Sequence, residues 1–373
     1  MKTTYIFLFI FFAYHFCEAQ EFELRTNNRY ILGTNKDRTA SISAGDIDQD
    51  GDIDVIVANG RHWPLQNQVF FNDGRGIFTL SQPLDVTSET SYATELADLD
   101  GDGDLDVAVG NDNAPSMLYF NDGTGNFKRG KSFGKLYSNT RNITLADLDQ
   151  DGDIDILITN RGQENEICLN NGKGEFSEPI GFGATDDSTI DVEVADLDAD
   201  GDLDLILANR DGQSNAIYLN DGGLEFSTKI VFGTGKDETR AVAISDIDKD
   251  GFLDITTANI GEPNAIYFGD KDYSFKRSII YDSSMDNSYS VTTTDLDLDG
   301  DIDIIVANVR GPNTVFINQK NGSSWLKMAI DDQKFNTYDI IATDLNGDGR
   351  PDIIEANSDE INRFHRNFKK GQP

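Results

Sequence analysis

Aspartates recur at alternating positions of a nine-residue string that this chain repeats seven times, and such spacing sets out oxygen ligands for a cation. Asp46, Asp48, Asp50, Asp52 and Asp54 form the first string, and Asp98, Asp100, Asp102, Asp104 and Asp106 the second. Asp147, Asp149, Asp151, Asp153 and Asp155 form the third, and Asp196, Asp198, Asp200, Asp202 and Asp204 the fourth. The fifth carries Asp246, Asp248, Asp250, Phe252 and Asp254, the sixth Asp295, Asp297, Asp299, Asp301 and Asp303, and the seventh Asp344, Asn346, Asp348, Arg350 and Asp352. Positions one, three, five and nine bear oxygen in every copy, and position six is always glycine. Calcium takes about six to eight oxygens, and a short acidic loop with a glycine at its sharp turn can wrap one ion. Position seven tolerates Phe252 and Arg350, which suits a residue offering its backbone carbonyl. Up to seven calcium ions are therefore expected.

Other acidic loops fit less well. An EF-hand needs a bidentate glutamate at position twelve between two helices. Here that position holds Val57, Val109, Ile158, Leu207, Thr257 and Val306, and only Glu355 is acidic. Dockerin modules share the opening spacing but come as paired helical copies, and nonapeptide repeats have a much shorter period.

The elements that position these loops repeat with them. Successive strings start 52, 49, 49, 50, 49 and 49 residues apart. Each is preceded by a short run such as TELA or ITLA and followed by a β-rich run such as VIVAN or LILAN, then by a third such as AIYLN or TVFIN. In the first four copies a glycine turn leads to a fourth strand starting near Phe78, Phe127, Phe176 or Phe226. No stretch has helical length and period. Four-stranded units of this size are propeller blades. The last repeat stops after its third strand, whereas FELRTNNRYILGTNKDRTASISAGDID from Phe22 resembles FSTKIVFGTGKDETRAVAISDID from Phe226. The expected fold is thus all-β: a seven-bladed propeller of four-stranded antiparallel blades, its N-terminal strand completing the last blade.

These strings and their period resemble the FG-GAP or VCBS repeat family, whose relatives include the seven-bladed propellers of integrin α subunits. The resemblance covers essentially the whole mature chain. It implies that each matching loop lies between the first and second strands of a blade and ligates calcium. Two departures stand out: Asn346, Arg350 and Pro351 weaken the seventh loop, and all seven blades carry the loop where integrins load only some.

The glycine hairpins and acidic loops are expected on one face of the ring, leaving the other for a ligand. Six residues before each loop stand Ala40, Tyr92, Arg141, Ile190, Arg240, Tyr289 and Tyr338, an Arg- and Tyr-rich set for a rim around the axis. The longer first repeat adds Arg61, His62 and Trp63. Such groups suit an extracellular glycan or protein ligand, in recognition or adhesion. The alternative is a polysaccharide lyase in which His62 and Tyr92 serve as base and acid and Arg141 or Arg240 neutralises a sugar carboxylate. No nucleophile elbow, zinc motif or phosphate loop is present. Asn160, Asn209 and Asn308, at second-strand ends, read as turn chemistry.

Bulk properties agree with export. Lys2, the apolar run Ile6 to Phe16 and Ala19 read as a signal peptide over 1–19, cleaved near Ala19, with the propeller over 20–373. Anchoring through Cys17 is disfavoured by the bulky His15 and Phe16 before it. No later segment is long and apolar enough for a membrane helix. Cys168 alone remains after cleavage, so no internal disulfide forms. With 66 acidic and 31 basic residues the formal charge is −35, which repels nucleic acid. Seven calcium ions would add fourteen positive charges and bring it to −21. The mature chain is expected as a secreted monomer, extracellular, periplasmic or on the cell surface.

Overall fold

The computed structural model describes residues 22–371, so the expected leader at 1–19 lies outside the described residues. Among the described residues there is no helix, and the strands form seven antiparallel sheets. Each sheet follows the repeat. In the first, strands Thr39–Gly45, Asp54–Asn59, Gln68–Asn72 and Phe78–Pro83 pair in chain order. The first strands of successive blades touch one another around the axis, and that of the seventh, Thr337–Thr343, touches Thr39–Gly45. The molecule is a closed seven-bladed propeller.

The second strands are buried along their whole length, as in Asp54–Asn59, Asp106–Asn111 and Asp303–Asn308. Each is covered on both faces by neighbouring blades, which is why runs such as DVIVAN and DIIVAN lack the usual polar alternation. The core is accordingly not one mass but seven clusters, each shared by two consecutive blades. Ile47, Ile56 and Val69 of the first blade pack on Val107, Met117 and Tyr119 of the second. Val55 and Phe70 of the first blade pack on Leu32, Ile354 and Phe364 of the seventh, which closes the circle. Burying such an aliphatic or aromatic side chain contributes about 1.5–3 kcal/mol.

The two ends of the chain share the seventh blade. Phe22–Arg25 and then Ile31–Leu32 both pair antiparallel with the C-terminal strand Asn362–Lys369. Phe22 and Leu32 are each 2% exposed, so this splice is part of the core. The fourth strand is thus supplied by the N-terminal segment, as the likeness to the Phe226 region implies, although a turn splits it in two.

Every first strand contains a bulge. The pairing with the second strand slips by one between Ser91 and Ala93, Thr140 and Asn142, Thr239 and Ala241, and at the same place in the other four blades. A bulge re-aims the extra residue and bends the strand. The extra residues are Ala40, Tyr92, Arg141, Ile190, Arg240, Tyr289 and Tyr338, the same set counted six positions before the loops.

Candidate functional sites

The acidic loops join first to second strands, as in 46–53 between Gly45 and Asp54. Their shape follows from two backbone demands. Position six is left-handed, with φ +95 at Gly51 and +99 at Gly201, and a Cβ there would meet nothing within 4 Å; the glycine answers the torsion, not crowding. Its N–H donates to the position-one carboxylate, 3.1 Å from Gly51 to Asp46 Oδ2 and 2.9 Å from Gly300 to Asp295 Oδ2. Position seven donates to position five, 3.0 Å from Asp52 N to Asp50 Oδ1.

Position nine ties the loop to the rest of its blade. Asp54 Oδ2 accepts from Ile47 N at 3.1 Å and Oδ1 from Asn72 N at 2.8 Å, and the other copies repeat the pattern, as at Asp106 and Asp303. These carboxylates are almost fully buried, and desolvation raises them, Asp54 to about 6, Asp106 to about 7 and Asp303 to about 8. The position-three carboxylates Asp48, Asp100, Asp149 and Asp198 are likewise raised, and Asp297 to about 6, by burial and then by their acidic neighbours.

Do these residues fit a divalent ion? One oxygen each of Asp46, Asp48, Asp100, Asp147, Asp198, Asp248 and Asn346 is buried with no hydrogen-bond partner. Groups such as Asp98, Asp100 and Asp106, or Asp196, Asp198 and Asp204, bring oxygens within 4.8 Å of one another. Unpartnered, mutually repelling carboxylate oxygens in an all-oxygen set are what a hard cation neutralises, so the set fits calcium chemistry. The seventh loop fits less well. Asn346 replaces an acid there, and Arg366 Nε stands 3.1 Å from Asp352 Oδ2, a cation beside position nine although burial still raises Asp352 to about 7.

On the other face the first strands surround a cavity of about 490 Å³ along the axis. Ala40, Tyr92, Arg141, Arg240, Tyr289 and Tyr338 line it; Ile190 does not, being buried away from it. The Arg and Tyr side chains form an arc of contacts. The Arg240 guanidinium is 5.8 Å from the Tyr289 ring, Tyr289 and Tyr338 meet edge to face at 4.8 Å, and Arg61 lies 3.8 Å over Tyr338. Arg141 lies 4.6 Å from the Tyr92 ring and pairs with Asp112 at 2.8 Å. His62 Nδ1 is 2.9 Å from Tyr92 Oη, in a left-handed conformation at φ 69 that is costly for a non-glycine residue. Burial and the charges of Arg61 and Arg141 hold His62 below its ordinary value, and burial raises Tyr92. Trp63 is 63% exposed, 5.7 Å from Arg38 and outside the arc.

Acids within the cavity escaped the sequence reading. Asp191, Asp339, Glu95 and Glu193 line it too, five or three residues before their loops, yet they look there like the alternating residues of ordinary strands. Asp191 accepts from Asn142 Nδ2 at 2.6 Å and Val242 N at 3.0 Å, and Asp339 from Ser290 Oγ at 2.8 Å and Ile42 N at 3.0 Å, so both join three blades. The asparagines at second-strand ends do more than turn the chain. Asn160 Oδ1 accepts from Thr140 Oγ1 at 3.1 Å, its N–H donates to Asn165 Oδ1 at 2.9 Å, and Asn165 Nδ2 crosses to Thr189 of the next blade at 2.9 Å.

Fold and loops together define a class: closed seven-bladed propellers with an acidic turn between the first two strands of each blade. The FG-GAP-like repeat family matches six overlapping segments, 46–109, 98–158, 147–207, 196–257, 246–306 and 295–355, and the chain belongs to that family. A comparison with curated protein sequences returns no match. Among solved structures, BBS1N in complex with ARL6DN is similar at TM-score 0.62 and 13% identity over 95% of this chain and 99% of that one. The extracellular domain of the putative one-component system BT4673 from B. thetaiotaomicron is similar at TM-score 0.57 and 11% identity, over 93% of this chain and 40% of that one. At these identities the likeness is one of fold.

Proposed function

We propose that this propeller is an exported, calcium-stabilised recognition module that binds an extracellular glycan or protein ligand at the cavity mouth. The carrying observation is the arc of Arg240, Tyr289, Tyr338 and Arg61 beside Tyr92 and Arg141, cations and aromatic faces gathered at one concave opening. Calcium in the loops of the opposite face holds the blades and leaves the mouth free. The leader at 1–19 delivers the chain to a compartment where calcium is plentiful. Support for an outside location also comes from the similar extracellular domain of BT4673. A glycan array read in calcium and in chelator tests the reading: binding is expected in calcium and abolished by Arg61→Ala with Tyr338→Ala. Binding that ignores both substitutions would place the ligand elsewhere.

A second reading has its own observation, the contact of His62 with Tyr92 beside Arg141. A neutral imidazole and a protonated phenol within hydrogen-bond reach suit base and acid in lyase chemistry. Incubation with acidic polysaccharides would then produce unsaturated products absorbing in the ultraviolet; no absorbance rise across such substrates removes this reading.

A further inference from the structure

The charges inside the cavity fall into two sets. Arg141, Asp191 and Asp339 are satisfied by Asp112, Asn142, Val242, Ser290 and Ile42. Arg240, Glu95 and Glu193 line the same space. Arg240 has the Tyr289 ring at 5.8 Å and feels the charge of Asp191, but no hydrogen bond holds its guanidinium fork, and neither glutamate meets a cation or a hydrogen-bond partner among the described residues. A polar side chain turned into a cavity without a hydrogen-bond partner costs stability unless something that enters supplies one. The groups that bridge blades are the paired ones, so the unpaired ones are left for something that enters.

We infer that the cavity takes a small zwitterion of the amino-acid or dipeptide kind, its carboxylate on the Arg240 guanidinium and its ammonium against Glu95 and Glu193. This deepens the recognition reading and rests on it. A guanidinium presents a planar fork that matches a carboxylate, and a volume of about 490 Å³ suits a molecule of that size. An anion alone would use Arg240 and leave Glu95 and Glu193 without a partner; a cation alone would use the glutamates and leave the guanidinium fork of Arg240 without a hydrogen-bond acceptor. Burial, followed by the charges of Asp339, Glu193 and Asp191, holds Glu95 well above the carboxylate range, and burial with Asp191 raises Glu193 to about 8. An arriving ammonium therefore meets protonated carboxyls, and pairing with it ionises them: each such glutamate gives its proton to the buffer as the ammonium–carboxylate contact forms.

Titration calorimetry of the calcium-loaded chain at pH 7 tests this with diglycine and alanine, using acetate, methylammonium and glucuronate as single-charge probes. The zwitterions are expected to bind at least tenfold more tightly than any single-charge probe. Arg240→Met and Glu193→Gln, both checked for unchanged melting, are each expected to lower that affinity tenfold or more. In the unaltered protein, the observed heat should depend on the buffer's ionisation enthalpy in the sense of proton release, a readout that needs no variant. Equal affinity for acetate or glucuronate, unchanged binding in folded variants, or no proton release would overturn the inference. Diglycine failing while the array still shows mouth-dependent glycan binding would end this inference and spare the recognition reading; failure of both would end both.

Discussion

At the residue scale the acidic loops are arranged against themselves until a cation arrives. Asp303, raised to about 8, and Asp106 and Asp254, raised to about 7, keep protons in the folded chain that an unfolded chain releases near 3.8. A raised folded-state value stabilises the fold fully at low pH and loses that contribution as pH climbs through it. In chelator the melting temperature is thus expected to fall between pH 5 and 8.5, whereas in calcium, which binds the ionised form, it should hold or rise; thermal melts at five pH values decide. Asp297→Asn sharpens the point. Its Oδ1 bond to Asp299 N at 3.2 Å can survive the change while a repelling charge is lost. The variant should melt lower than the parent in calcium and no lower in chelator, and a loss in both would make Asp297 a packing residue only.

Elements explain why the repeat is nearly invariant in length. The hairpin between third and fourth strands nests on the preceding blade: a Cβ at Gly174, φ +65, would lie 2.4 Å from the Phe120 ring, and one at Gly125, φ +75, 2.5 Å from Phe71. Asparagines at third-strand ends clasp the same boundary. Asn318 Nδ2 donates to Ile302 O of its own blade and to Ile247 O of the blade before, both at 3.2 Å, and Asn121 spans Leu105 O and Ile47 O in the same way. Asn318→Ala strands two buried carbonyls and should cost about 2–4 kcal/mol, read from denaturant midpoints; a cost below 0.5 kcal/mol would refute the clasp. Much of this was legible beforehand. Nine-residue strings, β-rich runs and NDGxG turns are local signals, and a count of six residues back happened to find the bulge in each first strand. The acids of the cavity were not legible, because Asp191 and Glu193 stand two positions apart like any same-face pair of a strand, and only closure of the ring shows which partner each meets. Nor could spacing show that Arg366 would reach the seventh loop from the C-terminal strand.

For the whole molecule, stability is a property of a ring in which each boundary depends on two blades. The seventh blade is held together without a continuous chain: Phe22, Leu32 and Tyr30 from the N-terminal segment lie against its C-terminal part, with Tyr30 5.1 Å from Phe364. Deleting residues 22–33 removes that strand and should lower the melting temperature by 10 °C or more, or leave an aggregating chain; a near-unchanged melt would mean that the first and last blades close without it. The formal charge of −35 works in the same direction, since self-repulsion opposes a compact disc until cations offset it.

Calcium at the acidic loops is the part of the proposed function that a melt reads most directly. Extracellular calcium modules bind at about 10⁻⁴–10⁻³ M, and at that affinity 10 mM calcium would contribute about 1.4–2.7 kcal/mol for each loop it fills. Calorimetric melts in 10 mM calcium, in 10 mM magnesium and in chelator are the direct measurement. A rise of at least 10 °C in calcium over chelator, with magnesium giving far less, is the result expected; identical melts in all three would contradict it.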